Sequence, residues 1–292
     1  MATYKIPSLT VDAQIAHQKG FSGKGVGVAV LDSGIYNHAD YSSPYYKIKK
    51  FVDFINYRTI PYDDNSHGCH VCGIVCSGGK DRYGSCIGVA PGCHMIVLKI
   101  LDHDGNGSVE NMISAIKWII SHYRAYNIRI VNISIGNAND KYASENNILN
   151  TWIDKLWNKG IVVCVSAGNN GPAPQTITTP GNNRNVITVG SYDQYAYSGR
   201  GPTTSCICKP EIVVAGTNIL SCKNAATGYV TKSGTSMSVP IVSGSLALLL
   251  EQNPSLTNKD VKKLLKRKAK TLGLPREIQG WGTINVPKLL DL

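Results

Sequence analysis

The chain has 292 residues, 42% of them hydrophobic, nine cysteines and a formal net charge of +11. That length and apolar content suffice for one large core and exclude a disulfide-stapled miniature fold, and no stretch approaches the ~20 apolar residues of a membrane span. The positive charge comes with no nucleic-acid-binding motif, so nucleic acid is not expected as a partner.

In chain order, residues 1–20 read as an N-terminal arm, and MATYKIPSLTVDAQ lacks the basic start and apolar core of a signal peptide. Val26 to Leu31 is a continuous apolar run that ends on Asp32, followed by Ser33 and Gly34, where the chain can turn sharply. His67 and Gly68 precede the pattern Val71, Ile74, Val75, which places His67 near a helix N-terminus. His94 to Ile100 predicts a strand, Val109 to Tyr123 a helix and Ile128 to Ile133 another strand. Ile148 to Trp157 has helical spacing, and Ile161 to Val165 and Val186 to Val189 are two further strands. Ser236 opens SMSVPIVSGSLALLLEQNP, a buried helix stopped by Asn253 and Pro254, with Pro240 expected in its first turn, where the missing N–H costs little. NKDVKKLLKRKAKTLG holds seven of the 30 basic residues and reads as a terminal helix with a solvated face and Val261, Leu264 and Leu265 turned inward.

The strand candidates are β-branched and nearly continuous, as strands buried on both faces are. Strand–helix alternation then predicts a three-layer α/β fold, a largely parallel, doubly wound sheet with helices on both faces, as a single domain over 1–292. In such sheets ligands bind outside the carboxyl ends of the strands, and Asp32 stands at one.

Three short segments carry the chemistry in the order aspartate, histidine, serine: VAVLDSG with Asp32, NSHGCHVCG with His67 and SGTSMSVP with Ser236. A serine hydroxyl attacks only when an adjacent base takes its proton. His67 is the candidate base, and Asp32 would hold its tautomer and stabilise the imidazolium. VSAGNNG, with Asn169, is an Asn-Asn-Gly turn at a strand end, where a preorganised donor can sit. A G-x-S-x-G esterase is disfavoured, because there the serine comes first and the histidine last.

From about Gly20 to Asn285 these residues resemble the subtilisin-like serine proteases, and GTSMSVP is similar to that family's GTSMATP. YDDNSHG, LDHDGNGS, YNIRIVNISIG, SGRGP and QGWGTINV resemble its intracellular branch. The resemblance implies an endopeptidase working through an acyl-enzyme, with Asp32, His67 and Ser236 as triad and Asn169 as oxyanion donor. It implies peptide or protein substrates bound in extended form between Asn106–Gly107 and Ser134, Ile135 and Gly136. Ala167 and Gly168 would line the pocket before the cut bond and Thr178 its floor. A threonine at the floor predicts a shallower pocket, broad specificity and a preference for apolar side chains. The absence of acidic residues among these candidates argues against a strict Lys/Arg preference. The alternative is a silent peptide-binding pseudoprotease, whose signature would be a lost triad member.

Where the family has HGTHVAG, this chain has HGCHVCG. Cys69, Cys72 and Cys76 fall at helical spacing with no second converging pair, so they read as small core hydrophobes rather than zinc ligands. Cys69 beside His67 predicts sensitivity to thiol reagents, and His70 reads as a satisfied core histidine. No cofactor is required for the chemistry. A structural calcium ion is left open: Asp81 between Lys80 and Arg82 makes a poor cage, and Asp40 and the Asp63-Asp64-Asn65 run are the other candidates. No prodomain is recognisable. The odd cysteine count and missing signal peptide favour the cytoplasm, with secretion expected only for a chain that begins at a mature boundary.

Overall fold

The computed structural model describes residues 4–42, 45–136, 143–193 and 196–292, with no side-chain description for 143–147. After a short helix α1 (Ala13–Gln18), the chain runs β1 (Gly27–Asp32), β2 (Ile48–Asp53), α2 (His67–Cys76), β3 (His94–Lys99) and α3 (Val109–His122). It continues through β4 (Ile128–Ile133), α4 (Ala143–Asn158), β5 (Val162–Ser166), β6 (Ile187–Ser191) and β7 (Ile212–Val214). A hairpin of β8 (Ile219–Cys222) and β9 (Tyr229–Lys232) leads into α5 (Thr235–Gln252), then α6 (Asn258–Lys268), α7 (Arg276–Gln279) and α8 (Val286–Leu290).

The seven strands β1–β7 pair in parallel in the order β2-β3-β1-β4-β5-β6-β7. Side chains alternate across the sheet, so Val28 and Val30 of β1 face one core and Ala29 and Leu31 the other. The first core packs against α2 and α5, the second against α3 and α4. This is the three-layer, doubly wound α/β fold expected. The five predicted strands appear within two residues of their expected ends, and β2, β7 and the β8–β9 hairpin are added. The chain passes from β3 across β1 to β4, so the carboxyl end of β1 lies at the switch of strand order, where a crevice forms.

Two expectations need correction. Helix α5 starts at Thr235, so Pro240 lies inside the helix rather than in its first turn. The N–H it lacks is the one that would bond the Ser236 carbonyl four residues back. On α6, Lys262 is not part of a solvated face. Its Nζ donates to Glu211 Oε1 at 2.9 Å and to the carbonyls of Arg184, Asn185 and Val186 at 2.8–3.0 Å. Buried Lys209 shares the same carboxylate, bonding both Glu211 oxygens at 2.8 Å. Val261 and Leu265 do turn inward. Among the described residues no helix is long and apolar enough to cross a membrane.

Candidate active site

Asp32 closes β1 wholly buried, and its Oδ1 accepts from Ser33 N and from His67 Nδ1, each at 2.7 Å. Its Oδ2 has no partner among the described residues.

His67 is the first residue of α2, and all four leading N–H groups of that helix are met. His67 N donates to Asn65 Oδ1 at 3.3 Å, Gly68 N to Ser33 Oγ at 2.9 Å, Cys69 N to Asp63 Oδ2 at 2.8 Å and His70 N to Ser66 O at 3.3 Å. Asp63 also accepts from Ser33 Oγ at 2.9 Å, Ser66 N at 3.0 Å and Asn65 N at 3.1 Å. One buried carboxylate thus fixes the start of α2 against the residue after Asp32. Burial by itself would lower the His67 pKa, but the bonded Asp32 carboxylate outweighs it, so the value is raised above the usual histidine range. Lys232 opposes that rise and Asp63 adds to it.

Ser236 is the second residue of α5, at the positive end of a helix of 18 residues. Its Oγ donates to the carbonyl of Ser134 at 2.6 Å, and no hydrogen bond joins it to His67. Asn169 Oδ1 accepts from both Thr235 N and Thr235 Oγ1 at 3.0 Å. A backbone N–H can only donate, so these bonds fix which end of the amide is oxygen and leave Nδ2 as the free donor. A Cβ placed on Gly234, whose φ is 146°, would lie 3.3 Å from that Nδ2, so the amide N–H groups stand over the turn that leads into Ser236.

These groups open onto one cleft of about 740 Å3. Its walls include His67, Asn169 and Ser236 together with the expected Asn106, Gly107, Ser134, Ile135, Gly136, Gly168 and Thr178. Ala167 is placed differently: it is fully buried behind the wall, where its carbonyl accepts from Thr178 N at 3.2 Å. Thr178 stands between two glycines, since a Cβ on Gly136 or on Gly168 would come within 2.1 Å or 2.6 Å of its hydroxyl. That hydroxyl is buried and has no partner among the described residues.

The cleft also takes walls that the sequence reading missed. Leu101, Val109, Met112 and Leu149 give it an apolar end, and Asp104 puts a carboxylate at its margin although no acidic residue was expected there. Val109 and Met112 sit three apart on α3, the spacing of one helix face, which is the only signal that could have found them.

His70 donates from Nε2 to Ile219 O at 3.0 Å and Val230 O at 3.1 Å, while its Nδ1 is buried without a partner among the described residues, so it is only half satisfied there. All nine cysteines are free thiols, and Cys69, Cys72 and Cys76 lie in the core. Cys69 is inaccessible and burial pushes its thiol well up, so it is not reactive, whereas Cys206 and Cys208 are exposed. Three of the calcium candidates, Asp40, Asp63 and Asp64, are already engaged within the protein. Asp40 accepts from Tyr229 Oη at 3.1 Å and from Ser77 Oγ, Asp63 is committed to backbone N–H groups, and Asp64 pairs with Lys99 at 2.6 Å.

Residues 23–282 match the model of the subtilase family. The chain is 40% identical to the serine protease AprX of Bacillus subtilis over 274 residues, which cover 84% of this chain and 61% of AprX. It is 33% identical to a subtilisin of Bacillus pumilus, with 94% of each chain covered. The fold superposes on the crystal structure of a cold-adapted subtilisin-like serine proteinase with a TM-score of 0.72 at 26% identity, covering 91% of this chain and 88% of that one.

Proposed function

The chain belongs to the subtilase family, and from that premise we propose that it is a serine endopeptidase using Ser236 as nucleophile, His67 as general base and acid, Asp32 as its partner and Asn169 as oxyanion donor. The observation that carries the reading is the 2.7 Å bond from His67 Nδ1 to buried Asp32, facing the same cleft as Ser236 and the fixed amide of Asn169. No cofactor enters the chemistry.

In the resting arrangement the Ser236 hydroxyl rests on the Ser134 carbonyl. An extended peptide pairing with Ser134–Gly136 brings an N–H that competes for this acceptor. The hydroxyl then turns to His67 Nε2, as hydrogen bonds at a site without substrate commonly tighten on binding. His67 takes the proton as Ser236 Oγ attacks the peptide carbonyl, and the buried Asp32 stabilises the imidazolium. The developing oxyanion meets Asn169 Nδ2 and the Ser236 N–H at the start of α5. His67 returns the proton to the leaving amine, and water repeats the sequence to release the acyl group. Thr178 shortens the pocket before the cut bond, which favours medium apolar side chains over large ones and fits broad specificity.

Intact-mass analysis after fluorophosphonate treatment tests the reading. One adduct on the parent and none on Ser236→Ala is the expected result. A folded parent that takes no adduct would refute it and bring forward the peptide-binding alternative.

A further inference from the structure

Lys232 ends β9, four residues before Ser236, and its Nζ donates to Ser66 Oγ at 2.7 Å, on the residue next to His67. A serine before a helix usually caps it, but the leading N–H groups of α2 are met by Asn65, Ser33, Asp63 and the Ser66 carbonyl. The Ser66 hydroxyl instead anchors an ammonium between the His67 helix and the Ser236 turn. This ammonium has no carboxylate partner among the described residues, and neither 65–80 nor 218–250 contains an acidic residue. Around it stand the positive end of α2, His67 and His70. Asp32 and Asp63, the acids that act on His67 alongside Lys232, are buried and bonded to His67 and to the start of α2.

The cleft that takes the acyl side of a peptide is walled by Ser134–Gly136, Gly168 and Thr178, and neither Ser66 nor Lys232 belongs to it. His67 lines that cleft, and Lys232 is anchored on its neighbour Ser66. The leaving amine takes its proton from His67, the residue beside that anchor. We infer that Lys232 makes the leaving-group side of the site selective for peptides that carry Asp or Glu just after the cut bond, an inference that rests on the endopeptidase reading above. A substrate carboxylate there gains a charge-assisted hydrogen bond, whereas a substrate lysine meets like charge.

Fluorogenic peptides identical up to the cut bond, with Glu, Gln or Lys in the first two positions after it, test this by their kcat/KM. Glu is expected to exceed Gln by roughly threefold at low salt, with the advantage shrinking as salt screens it. The advantage should persist in Lys232→Arg, vanish in Lys232→Met and invert toward Lys in Lys232→Glu. A Glu-to-Gln ratio near one in the parent, or a salt-insensitive ratio that survives Lys232→Met, would overturn it. Cleavage of none of the peptides, or cleavage that persists in Ser236→Ala, would overturn the endopeptidase reading and this inference with it.

Discussion

Acid should loosen this fold through one histidine that takes no part in the chemistry. His70 lies one turn beyond His67 on α2, fully buried, with its Nε2 shared between the carbonyls of Ile219 and Val230 on the hairpin. A second proton would go on Nδ1, which has no acceptor among the described residues. Burial pulls the pKa down to about 3, with Lys232 and His67 pushing the same way and the two carbonyls opposing. Unfolded, the ring titrates near its usual value of ~6.5. Between these limits the unfolded chain binds the extra proton, so stability is present above pH 6.5 and is lost as pH falls. Each pH unit costs ~1.4 kcal/mol, or ~2.7 kcal/mol between pH 6.5 and 4.5. His17 and His94, also lowered by burial, act in the same direction. Urea unfolding in a Ser236→Ala background, which removes autolysis, isolates the His70 share by comparison with His70→Leu. The variant should lose ~1–3 kcal/mol at pH 7, because two carbonyls lose their donor, yet decline less steeply in acid by ~2.7 kcal/mol at pH 4.5. Equal pH slopes for the two proteins would refute the reasoning.

Asn169→Ala should lower kcat by ~100- to 1,000-fold with little change in KM, because its bond strengthens only in the transition state; the measured precedent is an oxyanion asparagine in a subtilisin. A change confined to KM would remove it from that role. Thr178→Gly opens the pocket floor and should raise the kcat/KM ratio of Phe to Ala peptides by ~10-fold, the scale of one or two methylenes in an apolar pocket; an unchanged ratio would place the floor elsewhere. Because His67 must be neutral to act as base and its pKa is raised by Asp32 against burial, kcat/KM should fall as pH drops through a midpoint above 6.5. Lys232→Met should move that midpoint higher still, and a midpoint at or below 6.5 would contradict the pairing.

The five central strands were legible because each is buried on both faces and so reads as an unbroken apolar run. Strand β2 was not, since Lys49 and Lys50 sit exposed in its middle and break the pattern. The hairpin was hidden for the same reason, as Lys232 and Thr231 alternate with half-buried or exposed neighbours. Asp32, His67, Ser236 and Asn169 stand out because each sits among glycines and small residues. The groups that fix them do not: Lys232 acts on a residue 166 positions away, and Asp63, besides its local bonds to the start of α2, ties that start to Ser33, 30 residues earlier. Lys262 was misread because its spacing fits a solvated helix face, while its partner Glu211 lies 51 residues earlier.

The position of His67 depends on a second buried charge as much as on Asp32. Lys99, at the end of β3, is fully buried and donates to Ser33 O at 2.6 Å, Asp64 Oδ1 at 2.6 Å and Leu101 O at 2.8 Å. Those acceptors belong to the turn after Asp32, the loop before His67 and the wall of the cleft. Desolvating an ammonium is costly, so such a group adds little net stability over an apolar residue that packs well. Removing it, however, leaves three acceptors unmet and frees three segments to shift independently. The geometry that a proton transfer demands is narrower than the fold itself requires, since a 1 Å misplacement can cost ~100-fold in rate. A buried cation that contributes little to folding but ties the aspartate turn, the histidine loop and the substrate wall to one point meets that narrower demand, and an apolar residue in its place could not.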